Sequence, residues 1–367
     1  MVRMSGSYVS ALLARPGAVP MSADTAVDVS GVAWHYGDPL GEQAAAHTGL
    51  AVVDRSHRGV LRVSGDDAAT FLNTLLSQKL DDAAVGFAGG ALDLDVQGHI
   101  LHQIDVLRAD DAFYLDVPSY QIDSLTEFLS RMVFWSKVEI SRADLAVLTV
   151  LGDGELTVDT AVRNVELSSP EAARRRDLLV ARTGLTDAVD ALLADGARLA
   201  GLHAFTAERV RAGTPEARAD LDDKSIPHEV PGFIGRGERV GSVHLVKGCY
   251  RGQETVARVE NLGRSPRLLV RLHLDGSAPV DPTPGMEVRS GSRKVGRLGS
   301  VVHDYEYGLS ALALVKRSAL SAQLEVGESV AAQVDPGSLP AGDEAKAGRD
   351  AINRLRSGQG PTTPRKP

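Results

Sequence analysis

The sequence predicts an α+β fold that ends in a small antiparallel barrel. Patterns typical of strands and of helices are mixed over roughly the first 150 residues, and several are joined by short hairpin-like connections. After Pro266 the pattern changes to short strands separated by Gly and Pro turns, which is typical of a barrel. A chain of 367 residues is long enough for two or three such units, each with its own core.

The first half of the chain supplies the mixed elements. Segment 43–53 fits a short helix, and apolar residues at helical spacing predict helices over 68–76 and 119–132. The polar run 64–67 provides the start signal for the helix over 68–76. Extended patterns predict strands over 59–64, 90–95, 99–107, 112–117, 137–140 and 145–151.

The second half begins with a helix-rich region and continues into the barrel. Residues 155–200 contain helical stretches, and 202–210 predicts a further helix. The run Arg174 to Arg176 is interpreted as a solvated face rather than a phosphate site, because consecutive side chains point in different directions on any regular element. Barrel strands are expected at 270–274, 286–289, 294–303 and 310–316.

These patterns divide the chain into five parts. Residues 1–40 are expected to be poorly ordered, 41–151 to form a first α+β subdomain and 152–264 a second one. Residues 265–332 form the predicted barrel, and 333–367 are rich in Gly, Pro and charge, so a disordered tail is expected there.

Composition restricts the class of protein. The net charge of −8 argues against a general nucleic-acid surface, which needs clustered positive charge. No apolar run approaches the ~20 residues that span a bilayer, and no clear signal peptide is present. A single cysteine cannot form an internal disulfide and so gives no sign of an oxidising compartment, which makes the cytoplasm the expected location. We also expect a monomer with no membrane association.

That single cysteine, Cys249, lies in the most informative segment of the chain, the octapeptide 247–254. Lys247 and Arg251 lie two residues to either side, and a helix that starts near Gln253 would direct its positive dipole toward the thiol. Both effects favour the reactive thiolate. The alternative is a buried structural cysteine in a helix-capping loop. The flanking charges and the glycines at 248 and 252 favour the reactive interpretation.

Other chemistry has weaker support. His99 and His102 are three residues apart on a predicted strand, so they face opposite sides and make poor joint metal ligands. Zinc-binding and phosphate-binding loop patterns are missing from the sequence, so no metal site is expected. The segment 55–58, with His57 between two arginines, receives little weight as a nucleophile site.

The octapeptide 247–254 resembles the signature of the YgfZ family, folate-binding proteins related to the T-protein (aminomethyltransferase) of the glycine cleavage system. Segments 58–72, 134–138 and 226–229 extend the resemblance, which covers roughly residues 45 to 330. It implies a tripartite fold, with two α+β subdomains around a central channel and a C-terminal antiparallel β-barrel. It further implies that tetrahydrofolate, or a one-carbon derivative, binds in the channel and that iron–sulfur proteins or their assembly factors are partners.

The resemblance also supplies the candidate site residues. Cys249 is the expected reactive group and Lys247 its catalytic neighbour. The expected folate-binding residues are Lys247, Tyr250, Arg251, Gln253, Arg258 and Arg209.

Two departures from the T-protein pattern bear on activity. Gln103 falls near the position of the T-protein's catalytic acid, with Asp105 two residues further on. General-base chemistry needs an ionisable group, so the glycine cleavage reaction is not expected. Arg211 replaces the glutamate with which the T-protein holds the pterin, and Glu208 or Glu229 are the candidate substitutes.

The sequence therefore favours an accessory protein that binds tetrahydrofolate and supports assembly or repair of iron–sulfur proteins, with Cys249 as its reactive thiol. One thiolate cannot hold a cluster alone, since clusters ordinarily need several. The alternative is a folate-dependent one-carbon transferase that acts on a small amine or a tRNA base, and whether the chain turns over a substrate is open.

Overall fold

The computed structural model describes residues 8–21, 25–156, 160–165, 169–327 and 329–340. Its α-helices are α1 (Pro39–Thr48), α2 (Ala68–Leu75), α3 (Ile122–Met132), α4 (Leu185–Ala194), α5 (Leu202–Arg211), α6 (Ala217–Asp220) and α7 (Gln253–Leu262). Short 3-10 helices are Ala11–Ala14, Ser119–Gln121, Arg182–Gly184, Pro227–Glu229, Pro231–Phe233, Arg317–Ala319 and Pro336–Ser338. No helix in the described ranges is long and apolar enough to cross a membrane.

The strands before the barrel are β1 (Val19–Pro20), β2 (Ala33–His35), β3 (Ala51–Asp54), β4 (Gly59–Ser64), β5 (Ala88–Leu94), β6 (Ile100–Arg108), β7 (Ala112–Val117), β8 (Glu139–Arg142), β9 (Leu145–Leu151), β10 (Ala161–Val165), β11 (Arg175–Ala181) and β12 (Arg198–Ala200). The barrel strands are β13 (Arg267–Leu274), β14 (Glu287–Ser290), β15 (Arg293–Asp304), β16 (Gly308–Lys316), β17 (Leu324–Val326) and β18 (Val330–Val334).

The first sheet has the strand order β5-β6-β7-β4-β8, and all its neighbours are antiparallel. Helix α3 packs on it because Ile122, Leu125 and Leu129 recur at helical spacing and are buried on one side. The same core holds Phe71 and Leu72 of α2. The first sheet thus matches the predicted strands closely.

The second sheet has the order β10-β11-β9-β3-β12, with β12 parallel to β3 and the other pairs antiparallel. Strand β3 comes from before the first sheet and β9 from directly after it, so the second subdomain is assembled from two stretches of chain. The expected break between residues 151 and 152 therefore differs from the structure, in which β9 already belongs to the second sheet.

The predicted helix over 43–53 also differs from the structure. Helix α1 ends at Thr48, and residues 51–54 form the buried strand β3. A short, fully apolar run does not distinguish a buried strand from a helix by its period, which explains the error. In 155–200, β10 to β12 occupy much of the region where only helical stretches were expected.

The barrel is closed, in the order β13-β16-β15-β14-β17-β18, which confirms the predicted antiparallel barrel. It extends beyond residue 332, because β18 ends at Val334 and Leu339 is buried against its core. Most of the expected disordered tail, residues 341–367, lies outside the described residues.

The N-terminal segment packs more than its composition suggests. Leu12 is buried with the second sheet, and Val29 and Val32 lie in a core with α5. Strands β1 and β2 pair with each other. The described part of 1–40 is therefore ordered by contacts with distant residues, which its lack of local periodicity could not indicate; residues 1–7 and 22–24 lie outside the described residues.

Candidate functional site

The Cys249 loop, residues 246–252, lies at the molecular surface beside the β5–β6 hairpin. Cys249 is exposed, whereas Tyr250 is buried in a core that includes Leu92 and Leu94 of β5. Burial raises the pKa of Tyr250 to about 12, so its phenol stays protonated at neutral pH. The loop is therefore anchored by Tyr250 and presents its thiol to solvent.

Gly252 explains how the loop turns into α7. Its φ of +82° is a left-handed conformation, and a Cβ there would lie 2.6 Å from the carbonyl oxygen of Asp95. Glycine is required on both grounds. Because α7 begins at Gln253, its N-terminus follows the thiol by four residues, as the sequence predicts. The atoms closest to Gly252 belong to the β5–β6 hairpin, at Leu94, Asp95 and Gly98.

Lys247 is directed away from solvent, toward the C-terminal end of α2. Its ammonium donates hydrogen bonds to the carbonyl oxygens of Asn73 and Leu76. Burial lowers the pKa of Lys247 to about 8, and the nearby Asp81 and Cys249 groups act in the opposite direction. Its hydrogen bonds therefore cap a helix, since a cation is stabilised at a helix C-terminus.

Arg251 is held by the first sheet. Its guanidinium donates to Asp93 at 2.5 Å and lies 4.5 Å from the ring centroid of Phe128. Asp93 is buried and is also 2.8 Å from His102 Nδ1. Gln253 donates to the Lys247 carbonyl at 3.4 Å, so both side chains support the loop itself.

A central cavity lies between the two sheets and the segment that follows α5. It consists of two adjoining spaces of about 210 and 70 Å³, which share five lining residues. The shared residues are Gln103, Asp105, Arg175, Thr214 and Pro215. Gln103 and Asp105 are two apart on β6 and therefore face the same side of the first sheet.

A cluster of paired charged side chains borders this cavity. Its members are Arg55, Arg58, Asp105, Asp116, Arg163, Arg175 and Asp177. The four arginines and Asp105 line the cavity, whereas Asp116 and Asp177 are not among its lining residues. Arg163 is 1% exposed and pairs with Asp116 of the first sheet and Asp177 of the second. Burial would raise the pKa of Asp177, but Arg175, Arg163 and Arg55 hold it well below its ordinary value. The cluster therefore joins the sheets with ionised groups.

Asp105 is the one carboxylate of β6 in this cavity, and it is engaged by arginines. It lies 3.3 Å from Arg58 and 3.5 Å from both Arg163 and Arg175. Gln103, at the position expected for a catalytic acid, donates from Nε2 to the Pro215 carbonyl at 3.2 Å. The cavity can therefore bind a polar ligand, but neither residue provides an unpaired carboxylate for proton abstraction.

The structure separates the predicted site residues into two places. Lys247, Tyr250, Arg251 and Gln253 lie in or beside the Cys249 loop, and Arg258 is exposed on α7. Arg209 alone lines the central cavity, where Asp220 holds it at 2.7 Å. The thiol and the cavity are therefore distinct features among the described residues.

Sequence reasoning missed most of the cavity wall. The segment 55–58 is buried throughout and supplies Arg55, His57 and Arg58 to the cavity. Arg175 and Arg176 are also buried, which corrects their interpretation as a solvated face. The position of this charged run could have indicated its burial. It lies between two mostly apolar strand segments, 51–53 and 59–63, where the chain passes from one sheet to the other.

The proposed substitutes for the missing pterin carboxylate lie elsewhere. Arg211 pairs with Asp304 of the barrel through two contacts of 2.6 Å. Glu208 binds His47 and the Ala173 amide, and Glu229 binds Arg267. Neither glutamate lines the central cavity in the part of the chain that the structure describes.

The sequence of this chain is similar to those of several described proteins. IBA57, an iron–sulfur cluster assembly factor of Homo sapiens mitochondria, is 29% identical over 297 residues, which cover 76% of this chain and 80% of the relative. The tRNA-modifying protein YgfZ of Vibrio vulnificus is 26% identical over 269 residues, covering 70% and 79%. A chloroplast protein of Arabidopsis thaliana described as a transferase is 28% identical over 317 residues, covering 78% and 70%.

The fold is shared with a solved structure. The crystal structure of glycine cleavage system aminomethyltransferase T from Bartonella henselae matches with a TM-score of 0.73, over 88% of this chain and 94% of that chain. The identity is 15%, so the likeness shows the fold. No protein-family model matches the chain.

Proposed function

We propose that this chain, which is similar to YgfZ and IBA57 and shares the aminomethyltransferase fold, binds tetrahydrofolate and supports the assembly or repair of iron–sulfur proteins. Cys249 is its reactive thiol in this proposal. The human relative is itself described as an iron–sulfur cluster assembly factor. We place the protein in the cytoplasm as a monomer.

The central cavity carries this proposal. It combines the polar groups of β6 with apolar lining from Val27, Leu202 and Phe205, as sites for flat heterocyclic ligands do. His57, Gln103 and Arg175 also line it, and all three side chains can form hydrogen bonds with a polar ligand.

Gln103 favours an accessory role over one-carbon transfer. Tetrahydrofolate supplies a carrier for a one-carbon unit when bound, and transfer of that unit in the aminomethyltransferase reaction is expected to need an acid or base at this position. A side-chain amide does not ionise near neutral pH and therefore cannot act as a general acid or base. Asp105 already pairs with three arginines and offers no unpaired carboxylate. The cavity is thus better suited to binding than to turnover.

Cys249 acts at the surface in this proposal. Its side chain is exposed, and the residues that line the central cavity include none of the Cys249 loop. An exposed thiol can reach a partner protein. A single thiolate holds a cluster only together with ligands from another chain, so the cluster is cargo passed between proteins.

The test is replacement of Cys249 in cells that lack the native protein. Cys249→Ala should lower the activity of iron–sulfur enzymes several-fold, while the purified variant keeps its thermal unfolding midpoint because the residue is exposed. Val246→Ala is the matched control, since Val246 is 87% exposed in the same loop. Full activity with Cys249→Ala would contradict the role of the thiol.

A second measurement addresses the one-carbon transferase alternative. The purified chain is incubated with methylene-tetrahydrofolate and either a small amine or unmodified tRNA. We expect binding of the folate without product. Catalytic formation of a one-carbon adduct on either acceptor would replace the accessory function with a transferase.

A further inference from the structure

A relay of three hydrogen-bonded side chains lies on the face of the first sheet that is opposite to the central cavity. Asp93 Oδ2 is 2.8 Å from His102 Nδ1, and His102 Nε2 is 2.8 Å from Ser124 Oγ. Gln103 lines the cavity, so its neighbour His102 on β6 faces the other side of the sheet. The relay is therefore separate from the proposed folate site.

The first sheet fixes two members of the relay. Asp93 of β5 and His102 of β6 are paired directly across the antiparallel ladder, so their side chains project from the same face. Both residues are buried. Asp93 Oδ1 also accepts a hydrogen bond from Arg251 at 2.5 Å. Each oxygen of the carboxylate therefore has a partner, and the imidazole is held in one orientation.

Ser124 completes the relay from helix α3. It is the third residue of that helix and is exposed, so it connects a buried imidazole to solvent. Its Oγ is 2.8 Å from His102 and 3.1 Å from the Gln121 carbonyl oxygen, and the shorter contact is the one to the ring. The positive end of the α3 dipole lies at this first turn, where it stabilises negative charge on the serine oxygen.

The hydrogen bonds assign the protons of the relay. An ionised carboxylate can only accept, so the bond to Asp93 requires the proton of the neutral imidazole on Nδ1. The Nε2 lone pair is then available to accept from the Ser124 hydroxyl. In this arrangement a histidine can act as the general base for a serine nucleophile, while a carboxylate orients the histidine.

We propose that Ser124 is a nucleophile that accepts small acyl groups from esters, with His102 as its general base and Asp93 as the residue that positions the imidazole. This activity goes beyond the proposed function and does not depend on it. Ser124 is exposed on a helix and is not among the residues that line the central cavity, so its position suits a short acyl chain.

The reaction balances with water as the second substrate. Ser124 Oγ forms a bond to the acyl carbon while its proton moves to His102 Nε2. The bond between that carbon and the oxygen of the leaving alcohol breaks, and the alcohol takes the proton from the imidazole. Water then attacks the acyl-serine in the same way, which restores the Ser124 hydroxyl and releases the carboxylic acid.

Covalent labelling of the full-length chain tests the nucleophile. Diisopropyl fluorophosphate phosphorylates an activated serine with loss of fluoride, and peptide mass spectrometry locates the adduct. We expect an adduct on Ser124. Ser124→Ala should abolish it, and His102→Gln should slow its formation at least about tenfold. Ser130→Ala is the matched control, because Ser130 is exposed on the same helix.

Hydrolysis of p-nitrophenyl acetate tests turnover. Every protein in this assay carries Cys249→Ala, because an exposed thiol also reacts with activated esters. Adding Ser124→Ala should lower the protein-dependent rate at least about tenfold, whereas adding Ser130→Ala should leave it unchanged. Circular dichroism establishes that each variant is folded.

Two results would overturn the assignment. The first is a wild-type chain without an adduct on Ser124, and the second is a rate of ester hydrolysis that Ser124→Ala leaves unchanged. Neither result affects the proposed function, which is measured by folate binding and by the activity of iron–sulfur enzymes.

Discussion

Lys247 shows how one residue's role changes once its contacts are known. Its charge suggests activation of Cys249, yet its ammonium lies on the carbonyls that end α2. Proximity in sequence indicated Cys249, which does act on the pKa of Lys247. It could not indicate the carbonyl partners, because the direction of a flexible side chain depends on residues that are distant in the sequence. Cys249 itself remains a prediction: its exposure is compatible with reactivity and does not establish it.

The pKa of Lys247 predicts how stability depends on pH. The unfolded chain keeps this proton up to the ordinary pKa of 10.5, whereas the folded chain loses it at about 8. Between these values the unfolded state binds more protons, so the free energy of unfolding rises with pH. We expect a gain of about 2 kcal/mol from pH 8 to 10.5 in urea unfolding, relative to Lys247→Met.

Other groups titrate in the same range, so the difference between the two proteins is the informative quantity. Repeating the comparison in a Cys249→Ala background removes the neighbouring thiol, which itself acts on the pKa of Lys247. A wild-type curve parallel to that of Lys247→Met would exclude the depressed pKa.

At the scale of elements, the charged cluster joins the two sheets and contains more positive than negative side chains. It contains four arginines and three aspartates, namely Arg55, Arg58, Arg163, Arg175, Asp105, Asp116 and Asp177. Asp177 is fully buried and contacts Arg55, Arg163 and Arg175. Asp177→Asn would leave a surplus of two positive charges, whereas Arg163→Met would remove the surplus.

Asp177→Asn should therefore cost about 3–5 kcal/mol of unfolding free energy, and Arg163→Met should cost less. Urea unfolding of both variants at pH 7 shows which substitution lowers the free energy of unfolding more. A larger loss in Arg163→Met would show that the hydrogen-bond geometry of its guanidinium outweighs the charge balance. Thr149→Val serves as the neutral comparison, because Thr149 donates to the same carboxylate at 2.6 Å.

The elements that could be predicted from sequence have a clear local pattern. Helix α3 agrees with expectation because its apolar residues recur at helical spacing. The strands 112–117 and 145–151 agree because they are short, mostly apolar runs rich in β-branched or aromatic residues. The barrel could be predicted because Gly and Pro turns separate its short strands. Strands β10 and β11 carry buried arginines, so their polarity resembles a surface. Two of their partners, Asp105 and Asp116, lie in the first sheet, and no local pattern contains that information.

At the scale of the whole molecule, the barrel is attached to the subdomains through the β15–β16 hairpin. Gln43 of α1 donates to the His303 carbonyl at 2.8 Å and accepts from the Tyr305 amide at 3.0 Å. Arg211 of α5 pairs with Asp304 and lies 4.9 and 4.8 Å from the ring centroids of Tyr305 and Tyr307. The arginine that departs from the T-protein pattern thus serves the attachment of the barrel.

This placement predicts the result of restoring the T-protein glutamate. Arg211→Glu should not raise folate affinity, because the residue faces Asp304 and does not line the central cavity. It should destabilise the protein by about 3–5 kcal/mol, since Asp304 would stay buried without a cation and beside a second carboxylate. Arg211→Met is the control and should destabilise less, because it removes the cation without adding an acid. Calorimetry with 5-formyltetrahydrofolate and urea unfolding measure the two effects, and tighter folate binding by Arg211→Glu would place the folate ring at α5 and not in the central cavity.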